Sequence, residues 1–295
     1  MQVTKPAKPA PLSLKRRIRR VFALLCCSYL ALLVFLYVNQ RALIFPGSST
    51  QGTTEAQMAA TESGAAMVSL RTASGVAVKG YWVGPQATAH PNGRTVLFFY
   101  GNGNCMNWCQ DTVDRFRSMG CSVMLIDYPG YGLSGGNASD TGCYEAADAA
   151  YDYLTQLKCV VPSQIVVAGW SLGSAVAIHL ASHRAVGGLV TFSAFTSMAE
   201  MASREYPIVP APVINILLKY RFPSRDAISR VNCPVFIAHG ALDRFVPPQM
   251  SSTLAAAARG PVTRMSVARP GHNDILSVGG DSMYGAIERW MKALK

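Results

Sequence analysis

Four short runs of unbroken apolar residues constrain this chain more than any other feature. They are TVLFFY at Thr95–Tyr100, SVMLID at Ser122–Asp127, IVVA at Ile165–Ala168 and PVFIAH at Pro234–His239. A strand without polar alternation is covered on both faces, which belongs to a parallel sheet between two layers of helices. Between the runs lie segments of helical pattern: Asn104–Met119, Tyr144–Leu157 and Leu172–Ser182. Val76–Val83, Val190–Phe195 and Val262–Val267 add further strands, and Ser282–Leu294 closes the chain as an amphipathic helix. Such alternation predicts an α/β fold with a mostly parallel central sheet flanked by helices.

Composition matters chiefly for what it excludes. Half of the 295 residues are hydrophobic and only 15% are charged, so the chain is neither disordered nor a coiled coil. The net charge of +11 suggests nucleic acid until it is located. Seven of the 27 Lys and Arg lie in residues 1–20, which hold no acid, leaving 20 bases against 16 acids elsewhere. Residues 1–20 therefore read as a basic cytoplasmic leader, and no nucleic-acid partner is expected.

An uncharged run, Val21–Val38, follows the leader. As a helix its 18 residues span about 27 Å, close to the hydrocarbon thickness of a bilayer. A cleaved signal peptide would have a shorter apolar stretch and a small-x-small site after it; here Asn39-Gln40-Arg41 follows. Residues 21–38 are thus expected to be a transmembrane anchor. The basic flank predicts a cytoplasmic N-terminus, with the C-terminal domain on the periplasmic, extracellular or lumenal side. Residues 39–65, rich in Ser, Thr, Gly and Ala from Gly47 to Ala66, read as a linker, and 66–295 as one domain.

Eight cysteines are present, two of them (Cys26, Cys27) inside the apolar run. The six in the domain read as structural, paired or simply buried. Cys105-x-x-x-Cys109 lacks the spacing and the histidine partners of a zinc site, so no metal is expected.

The chemistry is concentrated in three places. Gly169-Trp170-Ser171-Leu172-Gly173 follows the IVVA strand and opens an Ala-rich helix. A sharp strand-to-helix turn there lifts the serine hydroxyl to a helix N-terminus, with glycines allowing the close approach of neighbouring chain. The bland alternative makes Ser171 a helix N-cap. A serine nucleophile needs a base, and the base an orienter, in the order Ser, acid, His. Asp243 lies just beyond PVFIAH and His272 just beyond Val262–Val267, both at C-terminal strand ends where α/β sheets bind ligands. Separately, Asp243 reads as a helix cap and His272 as a surface histidine; order and position favour the triad. Asp274 is the second choice of acid. His239 reads as a packed or hydrogen-bonded histidine, and His90, His179 and His183 as bystanders without an acid in a matching context. For the oxyanion, the N–H of Leu172 is one expected donor. The second is expected from the loop after TVLFFY, with Asn102 first and Gly103 as the alternative.

With these residues in place, the chain from about Leu43 onward resembles the α/β-hydrolase superfamily. It is closest to a branch of N-terminally membrane-anchored serine hydrolases related to serine aminopeptidases and prolyl-oligopeptidase-like enzymes. RALIFP (Arg41–Pro46), DYPGYGLSGG (Asp127–Gly136), GWSLGS, HGALDRFVP and PGHND carry the resemblance. One departure is Tyr100-Gly101, where such proteins commonly have His-Gly. The resemblance implies hydrolysis of an ester, thioester or amide without metal or organic cofactor. Residues 195–233 fit a small cap over the site, or else a loop with one packed helix. An apolar cap on an anchored enzyme points to a lipid-like, acyl-chain ester or thioester. A peptidase of the same mechanism and a non-catalytic binding protein of this fold are the alternatives.

Overall fold

The computed structural model describes residues 13–53 and 65–294. Its chain divides into two compact units, Met1–Gln40 and Arg41–Lys295. The first is built on helix α1 (Leu14–Ile44), whose 31 residues exceed the 18 of the expected anchor. By length and composition α1 is able to cross a membrane. Most of the expected basic leader, residues 1–12, lies outside the described residues, as does the linker stretch 54–64.

The second unit holds one eight-stranded sheet. Its strands are β1 (Ala66–Arg71), β2 (Ala77–Val83), β3 (Thr95–Phe99), β4 (Ser122–Ile126), β5 (Ile165–Trp170), β6 (Gly188–Phe192), β7 (Val235–Gly240) and β8 (Val262–Val267). They lie in the order β1-β2-β4-β3-β5-β6-β7-β8. The pairs β1–β2 and β2–β4 are antiparallel, and every later pair is parallel. All residues of β3, β5, β6 and β7 are buried, as their uninterrupted apolar sequences require. Strand β1 was not expected: only Val68 of AMVSLR is buried, so an edge strand of this kind shows no apolar run.

The helices are α2 (Gln110–Ser118), α3 (Asp140–Asp152), α4 (Leu172–Ala181), α5 (Met198–Glu205), α6 (Ala211–Leu217), α7 (Ser224–Ile228), α8 (Pro248–Ala257), α9 (Ile275–Val278) and α10 (Gly280–Lys292). The helix expected over Asn104–Met119 begins late, because Asn104 N–H closes a turn on the Gly101 carbonyl and a 3-10 turn, Met106–Cys109, precedes α2. That expected from Tyr144 begins early, at Asp140, because the Ser139 side chain caps it by accepting from Gly142 N–H.

Register brings the functional ends of the strands together. Phe99 pairs with Gly169, Trp170 with Phe192 and Gly240 with Val267. The loop after β3, the turn after β5 and the loops after β7 and β8 therefore emerge at one edge of the sheet. Residues 41–53, suggested as linker by composition, pack with the domain: Phe45 is fully buried against Tyr220 and Phe222. None of the six domain cysteines forms a disulfide, and Cys105, Cys109, Cys121 and Cys143 are buried.

Candidate active site

Ser171 sits between β5 and α4 with φ +52° and ψ −116°, a conformation that costs an L-residue of order 1–3 kcal/mol. Two glycines make the turn possible. A Cβ on Gly169 would lie 2.1 Å from the Gly173 carbonyl oxygen, and one on Gly173 would lie 2.0 Å from that of Phe99. Ser171 N–H donates to the Phe192 carbonyl (2.9 Å), and the Ser174 hydroxyl donates to the carbonyl of Gly169 at 2.6 Å, fastening the turn from both sides. Ser171 makes no side-chain cap to α4, so the N-cap alternative fails. Its Oγ lies instead 2.9 Å from His272 Nε2.

The other ring nitrogen, Nδ1, lies 2.8 Å from Asp243 Oδ2. Asp243 Oδ1 accepts from Phe245 N–H (3.0 Å) and Val246 N–H (2.8 Å). Burial pushes this carboxyl up, but contacts from His239 and His272 and the Val246 N–H outweigh it and hold it well below the ordinary carboxylate range. An ionised acceptor at Nδ1 fixes the ring with its proton there, leaving Nε2 to take a proton from the serine. Ser171, Asp243 and His272 are thus brought together, while Asp274 heads α9 with its carbonyl accepting from Val278 N–H.

Several supports carry little sequence signal. Trp170 Nε1–H donates to the His272 carbonyl (3.2 Å) and its ring lies over Gly101, so one indole joins the histidine loop to the loop after β3. Phe245 packs on the imidazole at 5.0 Å. His239 is hydrogen-bonded as expected, to Ser251 and, through Nε2, to the Val246 carbonyl at 2.9 Å; the same nitrogen is 3.3 Å from Asp243 Oδ2. Tyr100 fills the place of the usual histidine. Its hydroxyl donates to Asp127 Oδ1 (2.9 Å) and accepts from Tyr128 N–H (3.2 Å). Among the bystanders, His183 does have an acid partner, Asp148 at 3.0 Å, contributed by α3 rather than by a sequence neighbour. His179 stacks on Tyr144, and burial with the nearby His183 lowers its pKa to about 4.

Leu172 is the first residue of α4, where the N–H has no acceptor within the helix. In the loop after β3, the Asn102 side chain is held by a hydrogen bond from Nδ2 to the Ile44 carbonyl at 3.0 Å. A cleft of about 800 Å³ opens beside the triad, lined by Asn102, Gly103, Trp108, Trp170, Asn273 and Leu276 among others but not by Ser171 or His272. Among the described residues no cluster of His, Cys, Asp and Glu is arranged to hold a metal ion.

Comparison with known proteins agrees with this architecture. The model of the alpha/beta hydrolase family matches residues 96–272, from β3 to His272. The chain is 34% identical over 282 residues to protein Rv2307c of Mycobacterium tuberculosis, covering 95% of this chain and 97% of that one. An alpha-beta hydrolase from Vibrio vulnificus superposes with a TM-score of 0.68 at 19% identity, over 99% of this chain and 98% of that one. The Pyrococcus furiosus esterase Pf2001 superposes with a TM-score of 0.65 at 16% identity, over 78% of this chain and 92% of that one. At those identities the two structures speak for the fold, and the family match and the Mycobacterium relative for descent: the chain belongs to the alpha/beta hydrolase family.

Proposed function

We propose that the protein is a membrane-anchored serine hydrolase that cleaves carboxylic ester or thioester bonds through an acyl-enzyme. The observation that carries this is the unbroken line of contacts from Ser171 Oγ through His272 to Asp243, with the serine held at positive φ on a glycine-flanked turn. In this reading Ser171 Oγ attacks the carbonyl carbon while its proton passes to His272 Nε2. The charge that develops on the carbonyl oxygen is met by the N–H groups of Leu172 and Asn102, with Gly103 as the alternative second donor. The tetrahedral adduct collapses, and the departing alkoxide or thiolate takes the proton from His272. Water then repeats the sequence on the acyl-enzyme and releases the acid. Asp243 keeps the ring in its Nδ1–H tautomer and stabilises the imidazolium.

Helices α5 to α7 form the insertion over residues 195–233, and we read them as a cap that takes the acyl chain of a lipid-like substrate. Amide cleavage ranks lower. Of the two acids lining the neighbouring cleft, Asp114 pairs with Arg117 at 2.9 Å, which leaves Asp111 to hold a peptide amine, less than a clustered acidic patch would offer.

The test is labelling of the full chain in detergent with a fluorophosphonate, comparing wild type with Ser171→Ala and His272→Ala. Labelling of wild type alone, with all three melting alike, is the expected result. A well-folded wild type that takes no label points instead to a binding protein of this fold.

A further inference from the structure

The RALIFP segment plays no part in the chemistry above, yet it runs directly against the loop assigned to the oxyanion. Three hydrogen bonds tie Asn102 down. Its Nδ2 donates to the Ile44 carbonyl (3.0 Å), and its own carbonyl accepts from Gly47 N–H (2.9 Å) and from the Tyr131 hydroxyl (2.9 Å). The approach is close enough to need glycine. A Cβ at position 47 would lie 2.7 Å from the Asn102 carbonyl oxygen, 2.9 Å from that of Asn104 and 2.4 Å from the Tyr131 ring. The next residues continue the contact on the far side. Thr50 Oγ1 accepts from Gly132 N–H at 3.1 Å, and Gly52 N–H donates to the Gly132 carbonyl at 2.8 Å. Residues 44–52 thus bridge the loop after β3 and the DYPGYGLSGG loop.

We propose that Ile44–Gly47, acting through Asn102, is a positioning segment that holds the oxyanion loop in its donating geometry. The inference rests on the reading of Ser171 as nucleophile. One N–H of the side-chain amide and the carbonyl of Asn102 are engaged away from the serine, and together the three bonds fix where its backbone N–H points. An oxyanion donor acts only as charge develops, so an error in its position costs turnover and leaves ground-state binding intact. Ile44 is also the last residue of α1. The loop that stabilises the reacting oxygen is therefore tied to the chain where it leaves its apolar helix.

The experiment uses the full chain in detergent, with Asn102→Ala, Gly47→Ala and Tyr131→Phe. Ser49→Ala, on the same turn with an exposed hydroxyl that donates to the Pro46 carbonyl, serves as control. Hydrolysis of a p-nitrophenyl ester and inhibition by an alkyl boronic acid, a mimic of the tetrahedral adduct, are measured after melting temperatures are compared. We expect kcat to fall about tenfold or more in Asn102→Ala and Gly47→Ala and several-fold in Tyr131→Phe. KM should stay within about twofold, and boronate affinity should weaken in step with kcat. Tyr131→Phe removes one oxygen from a packed ring and decides the matter if the other two variants do not fold. Unchanged kcat in Tyr131→Phe and in any folded Asn102→Ala overturns the proposal. So does a fall in kcat with raised KM and unaltered boronate affinity, which marks a deformed pocket. Fluorophosphonate labelling of wild type, lost in Ser171→Ala, separates this failure from failure of the Ser171 reading itself, which would remove both.

Discussion

Ser171 keeps its strained backbone because two neighbours have no side chains, and that dependence can be measured. At Gly173 an added methyl meets the carbonyl oxygen of Phe99, which lies within a fully buried strand and has nowhere to move. Gly173→Ala should lower stability by about 3 kcal/mol in urea unfolding. At Gly103 the same methyl meets open space, and Gly103→Ala should stay within about 0.5 kcal/mol of wild type. Asp243 makes a second prediction, whose sign follows from its depressed pKa. In the fold it remains ionised below the pH near 3.8 at which an ordinary aspartate takes up a proton. Its contribution to stability is therefore fully present above that pH and is lost as pH falls further, through the lower pKa it has in the fold. Asp243→Asn should flatten the acid-side decline in melting temperature and also remove most turnover, since an amide there no longer fixes the tautomer. The meeting of Ser171, Asp243 and His272 was legible because each follows a strand, in the chain order expected of a serine triad. The roles of Trp170 and Asp127 were not, whereas His239 was readable as a hydrogen-bonded histidine but not as a neighbour of Asp243. Trp170 and Asp127 act through contacts with residues 102 and 27 positions away, for which a single sequence holds no signal.

At the scale of elements, burial on both faces made the central strands readable, and exposure hid the edge. Strands β3, β5 and β7 are buried throughout, so their sequences are unbroken apolar runs. Strand β1 buries one residue of six and was missed, while β8, expected over Val262–Val267, is present although only Val267 is buried. The insertion between β6 and β7 is the least legible region because its helices are short. Two of its apolar residues face outward: Ile216 on α6 is 80% exposed and Ile208, ahead of it, is 67% exposed. Fold stability gives no reason for those residues to be isoleucine, so Ile208→Ser and Ile216→Ser should each change stability by no more than about 0.5 kcal/mol. If the cap receives an acyl chain, the same changes should raise KM for long-chain esters more than for acetate or butyrate esters. Wild type should correspondingly prefer the longer chains. Faster cleavage of the short ones across the series would sink the acyl-chain reading.

At the scale of the whole molecule, the placement of the domain and the state of its thiols bear on each other. The seven bases before Val21 favour an N-terminus in the cytoplasm, which would put Ser171 in a compartment where disulfides form. Yet Cys105, Cys109, Cys121 and Cys143 form no disulfide, and burial raises the pKa of Cys109, Cys121 and Cys143. Cys233, half-buried, is pushed up to about 12. A thiol reacts as its thiolate, so burial that disfavours ionisation also protects these residues from oxidation. Outward placement and free thiols are therefore compatible, which the cysteine count alone did not show. Cys159 differs, standing exposed in the loop before β5. In the native protein a maleimide should label Cys159 readily among the six domain cysteines, and the four buried ones only after denaturation. Applied to intact cells with a maleimide that does not cross membranes, the same reagent tests topology. Labelling of Cys159 without lysis is expected if the domain faces outward. Labelling only after lysis would place the domain in the cytoplasm and reverse the orientation drawn from the basic leader, while leaving the site and its chemistry as they stand.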